Sequence, residues 1–164
     1  MSCTVQVKVL LLFGGMMIFV SQKAQAQTQN IIGTVSQEEL LSRERIYDIY
    51  AQRYKPEKEA LDFLKSYTDT VKVKVFFGNW CRESKKYVPR LIKIFQLLRN
   101  DYFEIEYIGV GEQKKLPKEF LKKFHIKYIP TVLVLEGSDE LGRIKEISQY
   151  RIETELVRIL KKVQ

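Results

Sequence analysis

Valines and lysines alternate in the segment Val71–Phe77, which predicts a strand with one buried face. The next segment, residues 84–99, instead carries apolar residues at helical spacing, with basic residues on the opposite side. A compact apolar run follows at residues 131–135 and is typical of a buried strand. The same reasoning predicts further strands at residues 103–110 and 144–147, and helices at residues 117–124 and 152–163.

The order of these elements predicts the class of fold. From residue 71 onward it reads strand, helix, strand, helix, strand, strand, helix. Strands that alternate with helices form parallel pairs through a right-handed crossover. The last two strands are separated only by a short turn that begins at Gly137-Ser138-Asp139, so they are expected to be antiparallel. The sequence therefore predicts an α/β fold with a mixed four-stranded sheet flanked by helices.

An extra helical region precedes this sheet. The stretch Ser36-Gln37-Glu38-Glu39 has the pattern of a capping box and predicts the start of a helix. That helix is expected to run to about residue 54, and Pro56 is expected to begin the next one. The interpretation divides the chain into residues 27–55, which comprise a polar tether at residues 27–35 and this helix, and residues 56–164, the main domain.

The first 26 residues have the features of a signal peptide. Lys8 precedes an apolar block at residues 9–20, and the small-x-small stretch Ala24-Gln25-Ala26 follows it. Cleavage after Ala26 and export to the periplasm or the medium are expected. The block is short for a bilayer span, which needs about 20 apolar residues. No stable membrane span is expected after cleavage, and an uncleaved anchor is the alternative.

Composition narrows the possible chemistry. The 164 residues are 45% hydrophobic and 29% charged, which indicates a folded protein rather than a disordered one. Only two cysteines, Cys3 and Cys81, and one histidine, His125, are present, so multi-cysteine zinc sites, iron–sulfur clusters and disulfide scaffolds are excluded. No metal or other cofactor is expected. The formal charge of +8 would attract anions weakly, but no nucleic-acid motif accompanies it, and no nucleic-acid partner is expected.

Cys81 occupies a position that suits a nucleophile. It lies between the predicted strand and the predicted helix, where unpaired N–H groups and the helix dipole stabilise an anion. A thiolate is the reactive form of cysteine. Lys85 and Lys86 add to the favourable field and Glu83 opposes it. Ser84 is expected to lie close to Cys81 in the first helical turn, from where it could donate a hydrogen bond to the sulfur.

Two motifs carry a resemblance to a known superfamily. The stretch FFGNWCRESK at residues 76–85, followed by Pro89, resembles the active-site segment of the thioredoxin superfamily. Ile129-Pro130-Thr131 is similar to its cis-proline segment. The Trp-Cys-x-x-Ser form also looks like that of exported bacterial thioredoxin-like proteins. The resemblance implies a thioredoxin-like fold, a catalytic Cys81 and a substrate-binding edge formed by Trp80, Ile129 and Pro130.

Two departures from the superfamily pattern limit the reaction. Ser84 stands where the second cysteine is usual, and it cannot release a mixed disulfide as a thiol does. Val75 stands where thioredoxins have a buried acid. A self-contained dithiol reductase is therefore excluded. The remaining hypothesis is one-thiol exchange through Cys81, of the isomerase or glutathione-assisted reductase type, with catalytic residues Cys81 and Ser84. Its partners would be proteins or small molecules that carry thiols or disulfides.

A non-catalytic interpretation stays open beside this one. In it, the chain keeps the thioredoxin fold only as a protein-binding module, which would explain both departures. A lone cysteine is often a small buried apolar residue. Ser84 is also a residue type that favours helix N-termini, and Trp80 could cover the edge of the core. His125 is expected to cap a helix end or to be solvated.

Overall fold

The computed structural model describes residues 29–112, 118–145 and 149–162. The signal peptide expected at residues 1–26 lies outside these ranges. The described strands are β1 at Gly33–Val35, β2 at Val71–Phe77, β3 at Phe103–Gly109, β4 at Thr131–Glu136 and β5 at Asp139–Lys145. The described helices are α1 at Gln37–Arg43, α2 at Arg45–Arg53, α3 at Lys58–Ser66, α4 at Arg82–Leu98, α5 at Lys118–Lys123 and α6 at Ile152–Leu160.

The strands form one mixed sheet in the order β1-β3-β2-β4-β5. Strands β2 and β3 are parallel and are connected through α4, whereas β4 pairs antiparallel with both β2 and β5. The strand predicted at residues 144–147 was placed too late, because β5 already begins in the turn residues at Asp139. The α/β fold and the mixed sheet predicted from the sequence are confirmed.

Both faces of the sheet are covered, which explains why β2 and β4 are so apolar. The valines of β2 point to a large core shared with α2, α3, α4 and α6. On the other face, Phe76, Ile108 and Leu133 form a second core with residues of α5. Strand β4 is almost wholly buried and has lost the polar half of the alternating pattern, whereas β2 keeps it at Lys72 and Lys74. Residue 75 lies at the centre of this arrangement, paired with Tyr107 and Val132.

The N-terminal region differs from the prediction, and the sheet has five strands instead of four. Residues 27–35 were expected to be a tether, but β1 pairs antiparallel with β3. Ile31 is buried, and its carbonyl oxygen packs so closely on Gly109 that a side chain there would collide with it. A three-residue edge strand is too short to produce a periodic pattern. The predicted single helix is also wrong, since it is interrupted at Glu44 between α1 and α2.

A buried carboxylate joins the added helices to the end of the chain. Glu153 at the start of α6 accepts hydrogen bonds from the Tyr54 hydroxyl at 2.7 Å, the Glu57 N–H at 2.9 Å and the Arg151 guanidinium at 2.7 Å. Burial alone would raise the pKa of Glu153, but these donors together hold it below its ordinary value. The same carboxylate helps raise the pKa of Tyr54 to about 12, although burial contributes most.

Glu153→Gln is expected to lower the free energy of unfolding by about 2 kcal/mol near neutral pH, because an amide cannot satisfy three donors. The pKa of Glu153 is lower in the folded chain than in the unfolded one. Its stabilisation is therefore present above the unfolded value and is lost as the pH falls through the folded value. Urea unfolding at a series of pH values checks this, and a difference between wild type and variant that does not shrink in acid would contradict it.

Candidate functional site around Cys81

Cys81 is held at the first position before α4. Its backbone is extended, with φ −82° and ψ 126°, and its N–H donates to the Gly78 carbonyl at 2.9 Å. Its own carbonyl accepts the Lys85 N–H at 3.1 Å and begins the helix. The side chain is partly exposed. The end of β2, the turn and α4 thus place the sulfur at the carboxyl edge of the sheet, as predicted.

The Cys81 sulfur contacts the Ile129-Pro130 segment, which the superfamily resemblance placed at the same site. Cys81 Sγ lies 3.5 Å from the carbonyl oxygen of Ile129, to which the thiol donates. The peptide bond between Ile129 and Pro130 is cis, as the resemblance implied. Both residues are buried, and the Ile129 side chain belongs to the second core. Ile129 therefore presents its carbonyl oxygen, rather than its side chain, to the site.

The sulfur lies at the electropositive end of a helix. α4 is 17 residues long, and Cys81 is its N-cap, where first-turn N–H groups have no partner within the helix. Arg82, the next residue in the chain, is exposed. Glu83, which was expected to oppose the field, lies 3.9 Å from the Lys86 ammonium group. Its charge is thereby partly offset.

Trp80 is half-exposed beside Cys81 and is fixed in place. With 40% of its surface accessible, it is among the more exposed large apolar side chains of the described chain. Its indole N–H donates to the Val110 carbonyl at 2.8 Å, and its ring lies against Gly78. A Cβ atom at Gly78 would stand 2.7 Å from the ring, so only glycine leaves room for this arrangement. The indole therefore offers a rigid, partly apolar surface next to the thiol.

The Ser84 side chain is hydrogen bonded to the turn at Gly78 and not to the sulfur of Cys81. It is fully buried, and its hydroxyl oxygen accepts the Gly78 N–H at 3.1 Å. In the described part of the chain, no hydrogen bond joins Ser84 to Cys81. A donation from Ser84 to a thiolate stays a prediction. Val75 is fully buried among apolar residues, so no acid lies under the thiol at that position.

Sequence reasoning missed a polar connection beneath the site. The Asn79 side chain is buried, and its amide donates to Glu44 Oε1 at 2.6 Å and to the Gln29 carbonyl at 3.2 Å. Its oxygen accepts the Ile31 N–H at 3.1 Å. Glu44 is itself buried at the break between α1 and α2. The added N-terminal region is thereby attached to the turn that carries Cys81.

Tyr47 lies in the same polar cluster. Its side chain is fully buried, packs edge-on against Phe77, and its hydroxyl has no hydrogen-bond partner among the described residues. Burial raises the pKa of Tyr47 well above its ordinary value, and the nearby charges of Glu44 and Cys81 act in the same direction. The hydroxyl thus stays protonated beside the site.

Comparisons with known proteins find similarity among solved structures. No protein-family model and no curated protein matches the chain. A protein of unknown function from Pseudomonas aeruginosa is 15% identical, with 79% of this chain and 99% of that one covered and a TM-score of 0.60. Thioredoxin f2 from Chlamydomonas reinhardtii is 20% identical, with 63% and 88% covered and a TM-score of 0.44. Thioredoxin 1 from Thermosipho africanus is 18% identical, with 56% and 92% covered and a TM-score of 0.41.

The chain has a thioredoxin-like fold. Its topology carries this assignment, since β2, α4 and β3 form the crossover unit and β4, β5 and α6 complete it. In this thioredoxin-like fold, the described residues include no cluster of histidine, cysteine and acidic side chains that could hold a metal. Among the same residues, no helix is long and apolar enough to span a bilayer.

Proposed function

We propose that this thioredoxin-like chain is an exported monothiol protein that carries out thiol–disulfide exchange through a mixed disulfide on Cys81. The observation that carries the proposal is the position of the sulfur. It is partly exposed, lies at the N-terminal end of α4, and is 3.5 Å from the Ile129 carbonyl oxygen. A buried structural cysteine would have neither the exposure nor the electropositive surroundings.

The reaction at Cys81 consists of two exchanges. In the first, the Cys81 thiolate attacks one sulfur of a substrate disulfide, so a new S–S bond forms and the other substrate sulfur leaves as a thiolate. In the second, another thiol attacks the substrate sulfur of the mixed disulfide and restores Cys81. If that thiol belongs to the substrate, the net reaction is an isomerisation. If glutathione attacks instead, it forms a mixed disulfide with the substrate, and a second glutathione then releases the substrate thiol in a third exchange. The substrate disulfide is thereby reduced, and glutathione disulfide is the oxidised product.

The surroundings of Cys81 suit an extended polypeptide. Trp80, at 40% accessible surface, precedes Cys81, and Tyr128, at 52%, precedes Ile129. Aromatic side chains of this kind contribute much of the affinity at binding surfaces. A substrate segment would lie between them, with its cysteine at Cys81 and its backbone near the Ile129–Pro130 edge. Ser84 would act by holding the Gly78 turn, which positions the thiol.

Export fits the presence of a single thiol in the expected mature chain. Residues 1–26 resemble a signal peptide, and their removal would leave Cys81 without a partner cysteine in the same chain. Disulfides persist in the periplasm and outside the cell, so substrates would be available there. The proposed place of action is thus an oxidising compartment.

Two observations favour a second candidate, a non-catalytic protein-binding module. Ser84 is hydrogen bonded to the backbone and Val75 is buried, so the positions that support dithiol chemistry have structural roles here. The same exposed Trp80 surface would then bind a partner without a covalent step. In that case Cys81→Ala would leave partner binding unchanged, whereas Trp80→Ala would weaken it.

The reaction with glutathione disulfide tests the proposal. In the full chain with Cys3→Ala, Cys81 is the only thiol. Intact-mass analysis of the folded protein is expected to show a single glutathione adduct, which an excess of reduced glutathione removes. A folded protein whose thiol stays unmodified under these conditions would exclude the exchange reaction and leave the binding module.

A further inference from the structure

A cationic groove lies where the added helices meet α4, and its lining includes Arg82, the residue after Cys81. Its volume is about 580 Å³, and it is lined by side chains of α2, of the first half of α4 and of Tyr54. Five of these side chains are cationic and only one, Glu83, is acidic. The five are Arg53, Arg82, Lys85, Lys86 and Arg90. The groove thus has a strong excess of positive charge.

Most of this charge is not neutralised by the protein. Within the residues that the structure describes, Arg53, Arg82 and Lys85 form no ion pair, and Glu83 faces Lys86 at a distance of 3.9 Å. Carboxylates brought near these cations would not have to displace an internal partner. The groove is therefore electrostatically complementary to a negatively charged ligand.

One wall of the groove is held rigidly. The Arg90 guanidinium lies over the rings of Tyr54 and Tyr87, with centroid distances of 5.2 and 5.4 Å. Tyr54 is fixed in turn by its hydrogen bond to Glu153. Side chains that are already ordered lose less entropy when a ligand binds. Two exposed or partly exposed apolar residues, Tyr50 and Ile46, line the groove as well and would contact the stems of the ligand's side chains.

The lining of the groove begins one residue after Cys81. Arg82 follows Cys81 in sequence, and the Lys85 N–H is bonded to the Cys81 carbonyl. An extended polypeptide advances about 3.3 Å per residue, so residues within about three positions of a reacting cysteine would reach the groove. A ligand held here and a disulfide at Cys81 can thus belong to the same chain.

From these features we infer that the groove binds an acidic segment of the substrate polypeptide and so selects disulfides flanked by aspartate or glutamate. The exchange reaction in this inference rests on the proposed function. The preference for acidic segments rests on the groove alone. Arg53 on α2 and Arg82 on α4 would bind carboxylates from opposite walls. The selectivity would be electrostatic, so it should weaken as the salt concentration rises.

Matched peptides test the inference. Three peptides carry one cysteine as a 2-pyridyl disulfide, flanked by glutamates, by glutamines or by lysines. Attack by Cys81 on the peptide sulfur releases pyridine-2-thione, whose absorbance gives the rate for the Cys3→Ala protein. The glutamate peptide is expected to react at least about tenfold faster than the glutamine peptide at low salt. Arg53→Glu should reduce that ratio about fivefold, whereas Arg45→Gln, an exposed cation on α2 outside the groove, should not change it.

A binding measurement separates the two proposals. Serine analogues of the peptides cannot react, and their affinity for the Cys81→Ser protein is measured by fluorescence anisotropy. Tighter binding of the glutamate analogue, reduced by Arg53→Glu, supports the groove even if no disulfide peptide reacts. Equal rates and equal affinities for the three peptides would overturn the inference, as would an acidic preference that Arg45→Gln and Arg53→Glu reduce alike.

Discussion

Replacing Cys81 with serine is expected to reduce glutathione-dependent cleavage of a peptide disulfide to the uncatalysed rate. A serine hydroxyl is not ionised near neutral pH and does not form a mixed disulfide, so the first exchange cannot begin. Neither Ser84 nor any described residue offers a second thiol. Product formation followed by chromatography, with and without protein, measures the effect against the Cys3→Ala parent.

Thermal unfolding is the control for this variant, because it shows whether the fold is intact. Cys81 is partly exposed and makes a single long hydrogen bond through its sulfur, so the substitution should leave the thermal unfolding midpoint nearly unchanged. Loss of activity with an intact fold then assigns the reaction to the sulfur. Activity of the serine variant above the uncatalysed rate would mean that the chemistry lies elsewhere.

Replacing Asn79 with alanine is expected to lower the free energy of unfolding by about 3 kcal/mol, a loss that is large for one side chain. The substitution removes three hydrogen bonds, to Gln29, Ile31 and Glu44. It also leaves the buried Glu44 carboxylate without its amide donor, and an unpaired buried charge costs more than a lost neutral bond. Urea unfolding of the variant and its parent gives the difference.

A double-mutant cycle measures how much of the loss comes from the hydrogen bond between Asn79 and Glu44. If the cost arises at the buried carboxylate, Glu44→Gln should destabilise the Asn79→Ala protein much less than it destabilises the parent. Strictly additive effects would show that the two side chains do not depend on each other. The turn that bears Cys81 would then be held through Gln29 and Ile31 rather than through Glu44.

The periodic spacing of apolar residues predicted the main strands and helices of the fold. Strand β2 and helix α4 alternate apolar and polar residues with clear periods of two and about four, and they alone place Cys81 at the edge of the sheet. The contact between Cys81 and Ile129 joins residues that are 48 positions apart, so no periodicity contains it. It was predicted from the superfamily resemblance of both segments.

The features that the sequence did not predict depend on partners far along the chain. β1 has three residues and gains its position by pairing with β3, which leaves no pattern within β1 itself. Glu44 belongs to what reads as a continuous polar helix face, and only the fold shows that it is buried against Asn79. The cationic groove likewise arises because α2 packs beside α4.

The rate at which Cys81 reacts with glutathione disulfide tests the central claim most directly. A short peptide of residues 76–85 provides the same sulfur and neighbours without the fold. At neutral pH and in the same buffer, the folded Cys3→Ala protein is expected to react roughly tenfold faster than the peptide, because only the fold places the sulfur at the N-terminal end of a long helix. A folded protein that reacts at the peptide's rate or more slowly would contradict a fold that activates this thiol.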